Sequence, residues 1–401
     1  MNRRLLLLLG GLPNWVLPGA SVDIDFVNNR YFVQGLGSSL SPFTFTRASA
    51  ATYFDVTGTL QTAGSGVART ACCDPVTHAP LGYLSEVTAT NIALQNTSLT
   101  TSPWTLFGSY QPTLTANAAT APDGTNTATQ IAAQAVSTGT GVVYQNLTLA
   151  AVSYTFSVYL KGAVGGEVVY IGTNKAGASF ASTKCTLTTT WTRYTLTFTA
   201  ASSGTWVFDI GTDLRDGTQS STSAQTFYAW GAQAETGSFA SSLIYTAGST
   251  VARAADSLTL SVSSGSWYGQ DQIGSLFIQM TGAANVVTRL LSLSSASQFT
   301  GITINGSNRV NIFDGTVGLN SVIMLQPTPP YKAAFSFTPG SQIGVGNATN
   351  VVTTSAASLT TGITTFGIGL GDGGANPGTY IGRASYFPTM LTQAQLVTIT
   401  T

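Results

Sequence analysis

Apolar side chains recur in this chain at every second position, not at every third or fourth. In Tyr154-Thr155-Phe156-Ser157-Val158-Tyr159-Leu160, residues 154, 156, 158 and 160 form one apolar face, with Thr155 and Ser157 on the other. The alternation returns at Tyr194-Leu196-Phe198, Trp206-Phe208-Ile210, Leu258-Leu260-Val262, Ile302-Ile304 and Phe366-Ile368-Leu370. A period of two keeps one face dry only if the backbone is extended, so the chain is expected to be all-β, each strand with one buried and one wet face. Asp123-Gly124, Asp216-Gly217, Asn305-Gly306 and Asp314-Gly315 punctuate these runs, glycine supplying the positive φ of a tight turn. Short strands at this spacing predict β-sandwiches or jelly rolls. One helix start stands out: Thr392-Gln393-Ala394-Gln395 is a capping box, and Leu391 with Leu396 is placed as its hydrophobic staple.

With 401 residues the chain exceeds what one core usually fills, about 250. A polar lead over 92–103 and a seam at Thr246-Ala247-Gly248-Ser249-Thr250 divide it into 1–95, 96–250 and 251–401. The first is expected to be an attachment segment and the other two β-sandwich domains, closed by the short helix.

Charge narrows the function. There are 15 Lys plus Arg, 15 Asp plus Glu and one histidine, His78, so charged residues make up 7% of the chain against about 25% in an ordinary soluble domain. Hydrolysis, phosphoryl transfer and metal chemistry need convergent titratable groups, and their scarcity argues for a building block or a binder, not an enzyme. A polysaccharide-cleaving pair of carboxylates has no E-x-D or D-x-E cluster to stand on. Zero net charge leaves little self-repulsion and favours association. No basic cluster exceeds Arg3-Arg4, which sets nucleic acid aside as a partner, and nothing calls for a cofactor. Cys72, Cys73 and Cys185 are too few for a disulfide scaffold and lack zinc-ligand spacing, and His78 falls in a turn after Asp74-Pro75. The run Leu5, Leu6, Leu7, Leu8, Leu9 after Arg3-Arg4 imitates a secretory leader. Broken by Gly10-Gly11 and Pro13, it falls far short of the ~20 residues of a membrane span and is expected to dock into a partner or onto its own domain.

The segment Phe45-Thr46-Arg47-Ala48-Ser49-Ala50-Ala51-Thr52-Tyr53-Phe54-Asp55, continuing through Gly58-Thr59-Leu60-Gln61-Thr62-Ala63, Arg69, Asp74-Pro75 and Glu86 to Thr90-Asn91, resembles a module of tailed-bacteriophage virion proteins. It departs from the family's phrase at Gly66-Val67-Ala68-Arg69, Cys73 and Ser85. Phe227 to Glu235, Gly237 to Ala240 and Val251 to Asp256 are similar to the closing strand and exit of that family's carbohydrate-binding-like jelly roll, and Tyr380 to Pro388 resembles the last strand of concanavalin A-like, laminin-G-type sandwiches. The resemblance implies a head-fibre, tail-fibre or decoration subunit on the surface of a virion, held by its N-terminal segment to capsid or tail proteins. It also implies a homotrimer, although no heptad repeat is present. The alternative is an adhesin for a bacterial surface polysaccharide.

Sugar recognition would need exposed aromatic platforms, and Trp104, Tyr110, Trp267, Tyr268 and Tyr331, each beside a turn or loop signal, are the candidates. Trp206 and Trp230, inside strand patterns, read as core. Arg47 is expected to clamp structure by forking onto backbone carbonyls or onto Asp55. Many carbohydrate-binding jelly rolls carry a structural calcium ion, for which Asp123, Asp209 and Glu235 are nominated beside the reading that they are solvated loop acids.

Overall fold

The alternating segments form antiparallel strands wherever the structure, a computed structural model, describes them: residues 12–281, 288–305, 309–313, 322–324, 330–354, 359–370 and 378–401. The fold is all-β with a single short α-helix among the described residues, α1 at Gln393–Thr400, and a one-turn 3-10 helix at Val262–Ser264, which takes Val262 out of the expected strand of Leu258 and Leu260. The chain divides into two units, one of residues 1–48, 65–87 and 255–401, the other of 49–64 and 88–254.

In the first unit, strands from both ends of the chain share sheets. Val22–Asp25 lies between Arg30–Val33 and Thr379–Phe387, and Thr379–Phe387 pairs onward with Gly274–Thr281 and also with Pro80–Ser85. Phe43–Thr46 forms the edge of a second sheet beside Ser257–Ser261. Ile24, Ile278, Phe335 and Tyr386 of one sheet and Leu258, Leu291, Ile302 and Phe366 of the other meet in one core around Trp267. Residues 1–95 are therefore no separate segment: strands at 22–25, 43–46 and 80–85 complete the sandwich of 255–401, because period-two patterns leave unpaired edges that only partners remote in sequence fill. Helix α1 carries the full capping box, with Thr392 Oγ1 accepting from Gln395 N at 3.3 Å and Gln395 Oε1 accepting from Thr392 N at 2.8 Å. Leu391 and Leu396 are buried beside Phe277, Ala334 and Phe387.

A buried ion cluster ties the ends of this unit. Arg47 Nη1 donates to Asp256 Oδ1 at 2.9 Å and Nη2 to the carbonyl of Val67 at 2.9 Å; Arg69 donates to Glu86 at 2.6 Å and to Asp256 Oδ2 at 2.5 Å. Asp55, the carboxylate expected beside Arg47, instead closes its own turn, accepting from Thr57 N and Thr59 N. Its short chain binds the backbone two and four residues on more readily than a remote guanidinium.

The second unit is a jelly-roll sandwich whose strands are numbered here in chain order: β1 Thr105–Phe107, β2 Thr113–Ala119, β3 Ala128–Ala133, β4 Thr140–Leu149, β5 Ser153–Gly162, β6 Val168–Lys175, β7 Ala178–Thr186, β8 Thr192–Thr199, β9 Gly204–Asp213 and β10 Gln225–Thr236. One sheet has the order β2-β3-β10-β5-β8 and the other β7-β6-β9-β4-β1. Phe156, Val158, Ile171, Trp206 and Phe208 meet between them. The expected wet face of β5 is dry: Thr155 and Ser157 are buried, and so is Tyr159 on the same face. Leu60, Phe54, Trp230 and Leu243 pack over Tyr159 in a second small core, so the hairpin Ala51–Phe54/Leu60–Ala63 covers what would otherwise face water. The unit's boundaries fall at 88 and 254, not 95 and 250, because Ala89–Asn91 pairs with Val251–Arg253 and Asn91 and Asn96 both donate to the carbonyl of Ile244.

Asp123-Gly124 turns as read, Gly124 having φ +80° and Asp123 Oδ1 accepting from Thr125 N. Gly217 does not take a positive φ, although Asp216 Oδ1 accepts from Thr218 N in the same way. Gly306 and the pair Asp314-Gly315 lie outside the described residues, as do Leu5 to Leu9.

Candidate functional site

The outer face of the sheet β7-β6-β9-β4-β1 carries the site, and alternation decides which side chains reach it. Trp206, Phe208 and Ile210 turn β9 inward, so Val207, Asp209 and Asp213 face out; on β4, Val143 and Leu147 go in while Tyr144 and Asn146 go out. Register places Asp209 directly between Tyr144 of β4 and Gly172 of β6. Gly172 matters by what it lacks: a Cβ there would stand 2.5 Å from Asp209 Oδ1. On edge strand β1, Phe107 stands edge-to-face with Tyr144, ring centroids 6.2 Å apart at 83°. Phe107 is 44% exposed.

The loop after β9 closes one end. Arg215 Nε donates to Asp213 Oδ1 at 2.8 Å and Nη2 to Oδ2 at 2.5 Å, while its guanidinium lies over Phe107 at 4.8 Å and Phe180 at 5.7 Å from the ring centroids. A two-residue hairpin joins β6 to β7, with Ala176 at φ +52° and Gly177 at φ +73° and the Gly177 N–H donating to Asn174 Oδ1. Between these walls is a hollow of about 200 Å³ lined by Phe107, Tyr144, Asn146, Asn174, Asp209 and Arg215 among others. That is below the roughly 300–1,000 Å³ of sites for drug-sized molecules.

Asp209 is the chemical centre of the hollow. It is 3% exposed, and its Oδ1 has no hydrogen-bond partner among the described residues. Burial pushes its carboxyl up to about 7, Asp213 and Asp216 add to the rise, and Arg215 opposes it. A buried carboxyl poised near neutrality can accept a hydrogen bond as carboxylate or donate one as acid.

The aromatic platforms expected from sequence are elsewhere. Trp104 is buried against Phe208, its Nε1 donating to the carbonyl of Leu94; Trp267 is fully buried with Nε1 donating to the carbonyl of Ser261; Tyr331 is buried in the same core as Trp267. Tyr268 is half-buried on Tyr386, its hydroxyl bonded to Asp271, and Tyr110 is half-buried with its hydroxyl at Thr138. Loop indoles close the ends of a sandwich because they hide large apolar area while the N–H finds a carbonyl, so nearness to a turn is no sign of exposure. Trp206 and Trp230 are buried as well.

The three nominated calcium ligands do not converge. Asp123 serves its turn and accepts from the Tyr245 hydroxyl at 3.2 Å, Asp209 faces out from β9, and Glu235, on the opposite sheet, accepts from Gln233 Nε2 and Ser241 N. No group of three or more metal-ligating side chains occurs among the described residues. Phe107, Tyr144 and Arg215 escaped sequence reading; the available signal was an aspartate in the middle of the Trp206-Phe208-Ile210 strand, a position where the residue is ordinarily disfavoured.

No family model matches this chain. No curated protein matches it either. Among solved structures, similarity is found to a Trypanosoma rangeli sialidase mutant displaying trans-sialidase activity, at 11% identity and TM-score 0.30 over 36% of this chain and 26% of that one. A second is TmCBM61 in complex with β-1,4-galactotriose, at 13% identity and TM-score 0.27 over 36% of this chain and 99% of that one. A third is the N-terminal CBM22 tandem domain from Paenibacillus barcinonensis Xyn10C, at 8% identity and TM-score 0.25 over 72% of this chain and 93% of that one. The match thus spans about a quarter of the sialidase.

Proposed function

We propose that this protein is a glycan-binding fibre or decoration subunit of a tailed-phage particle, and that the outer face of β7-β6-β9-β4-β1 holds the saccharide. The observation that carries the binding reading is Asp209: a buried carboxyl with an unpartnered oxygen at the floor of a hollow walled by the exposed ring of Phe107 and by Tyr144. An aromatic face takes the apolar side of a pyranose ring, and convergent Asp and Asn groups take its hydroxyls. The virion setting is supported by the segment from Phe45 to Asn91 and its likeness to phage virion proteins. Neutral charge and sparse ionisable surface suit a subunit that assembles with copies of itself, as a trimer, and with capsid or tail proteins.

Binding of the purified full chain to bacterial cells and to their extracted surface polysaccharide tests the reading. Saturable binding is expected, weakened about tenfold in a Phe107→Ala variant, the equivalent of roughly 1.4 kcal/mol of lost stacking. A folded protein that binds no polysaccharide would leave a purely structural subunit. Its mass in solution and its detection in purified particles test the assembly half of the proposal separately.

A further inference from the structure

Resting on that reading, we propose that Asp209 makes the hollow selective against acidic saccharides, so that its ligands are neutral or amino sugars whose hydroxyl or ammonium groups donate to the buried carboxyl. The charges around the site set this preference. Asp209 stands on β9, and Asp213 and Asp216 come from the end of the same strand and the loop after it. The guanidinium of Arg215 is neutralised by Asp213, which holds Nε and Nη2, and it lies over the ring of Phe107 while its side chain stays 38% exposed. Asp216 is occupied by Ser182 and Thr218. The other strands bring Phe107 and Tyr144, Tyr170 with its hydroxyl accepting from Ser220 N, and Lys184, exposed on β7 at the register of Tyr170. With Asp213 paired to Arg215, Asp209 is the carboxyl of the lining that has no ionic partner among the described residues, and Gly172 leaves room for its Oδ1.

A ligand carboxylate entering here would meet a like charge in a desolvated setting, with the Arg215 charge already balanced by Asp213, a built-in penalty against one ligand class. A hydroxyl or ammonium donor instead gives the Asp209 carboxyl a hydrogen bond from the hollow that it lacks among the described residues. Because burial pushes the Asp209 carboxyl up to about 7, the rejection strengthens above neutrality and relaxes below it, where the neutral acid can donate to a ligand carboxylate.

The test is binding of the full chain to immobilised saccharides of three charge classes at about pH 5.5 and pH 8: neutral hexans, chitosan oligomers, and acidic polymers such as polygalacturonate and polysialic acid. Ligands are expected among the neutral and amino classes only at pH 8, any acidic ligand gaining about tenfold or more in affinity at the lower pH. An Asp209→Asn variant should lose that pH dependence and the exclusion of acidic chains. Acidic saccharides bound at pH 8 as tightly as neutral ones, or acid binding that ignores pH, would overturn the selectivity while leaving glycan binding intact. Absence of binding in all three classes would overturn the glycan-binding reading itself.

Discussion

Asp209 is costly where it stands, and the cost depends on pH. Its ordinary value is 3.8, and burial raises it to about 7 in the folded protein. Between those values the folded protein keeps a proton that the unfolded chain releases, so the group's contribution is most favourable below about pH 4, declines as pH rises, and levels off above about pH 7. A rise of that size corresponds to about 4 kcal/mol at most. An Asp209→Asn variant, which keeps shape and removes the charge, is therefore expected to melt at a higher temperature than the parent at pH 8 and close to it at pH 4. Equal shifts in melting temperature at both pH values would mean that the carboxyl titrates like a surface acid. Such a group is retained against stability, a pattern expected of binding residues and not of packing ones. The cluster of Arg47, Arg69, Glu86 and Asp256 is the contrasting case: every charge there has its partner inside the fold, and burial makes it a fixed strut.

At the scale of elements, β6 positions the site through what it omits. Gly172 is extended backbone that alanine also adopts, so Gly172→Ala should cost the fold no more than about 1 kcal/mol, the range of ordinary small substitutions. Its Cβ, however, would stand 2.5 Å from Asp209 Oδ1 and displace the carboxyl. Saccharide affinity is expected to fall about tenfold while the melting temperature barely moves, and a variant that binds normally would show that Asp209 does not touch the ligand. Period two was legible in the sequence because alternation is a local property, and so was helix α1, whose cap is written in four adjacent residues. What covers a strand was not legible: Thr155 and Ser157 read as a wet face but are buried, Thr155 Oγ1 bonded to Thr197 and the carbonyl of Gly237 and Ser157 Oγ accepting from Arg193, while the hairpin of 51–63 packs on Tyr159 beside them. The same limit hid the site, since Phe107, Tyr144 and Asp209 are brought together only by the register of β1, β4 and β9.

At the scale of the whole molecule, compositional seams mark where polarity changes, and strand pairing decides where a unit ends. The seam at 246–250 lies inside the second unit, because Val251–Arg253 must reach Ala89–Asn91 before that unit is complete. Likewise the break near 95 cuts off Asn91, whose side chain bonds the carbonyls of Ala232 and Ile244 and accepts from Ala93 N and Ala234 N. A fragment 96–250 would lose those four bonds and the hairpin that covers Trp230 and Tyr159. The burial lost is large, since each uncovered aromatic forfeits roughly 1.5–3 kcal/mol and each orphaned buried polar group about 1–3 kcal/mol. Against a domain stability of roughly 5–15 kcal/mol that deficit is decisive. Fragment 96–250 is expected to be unfolded or aggregated by circular dichroism, whereas fragment 49–254, which keeps the hairpin and both closing strands, should unfold cooperatively on heating. A stable, cooperative 96–250 would place the structural boundary at the compositional seam after all, with strands 89–91 and 251–253 as dispensable trim.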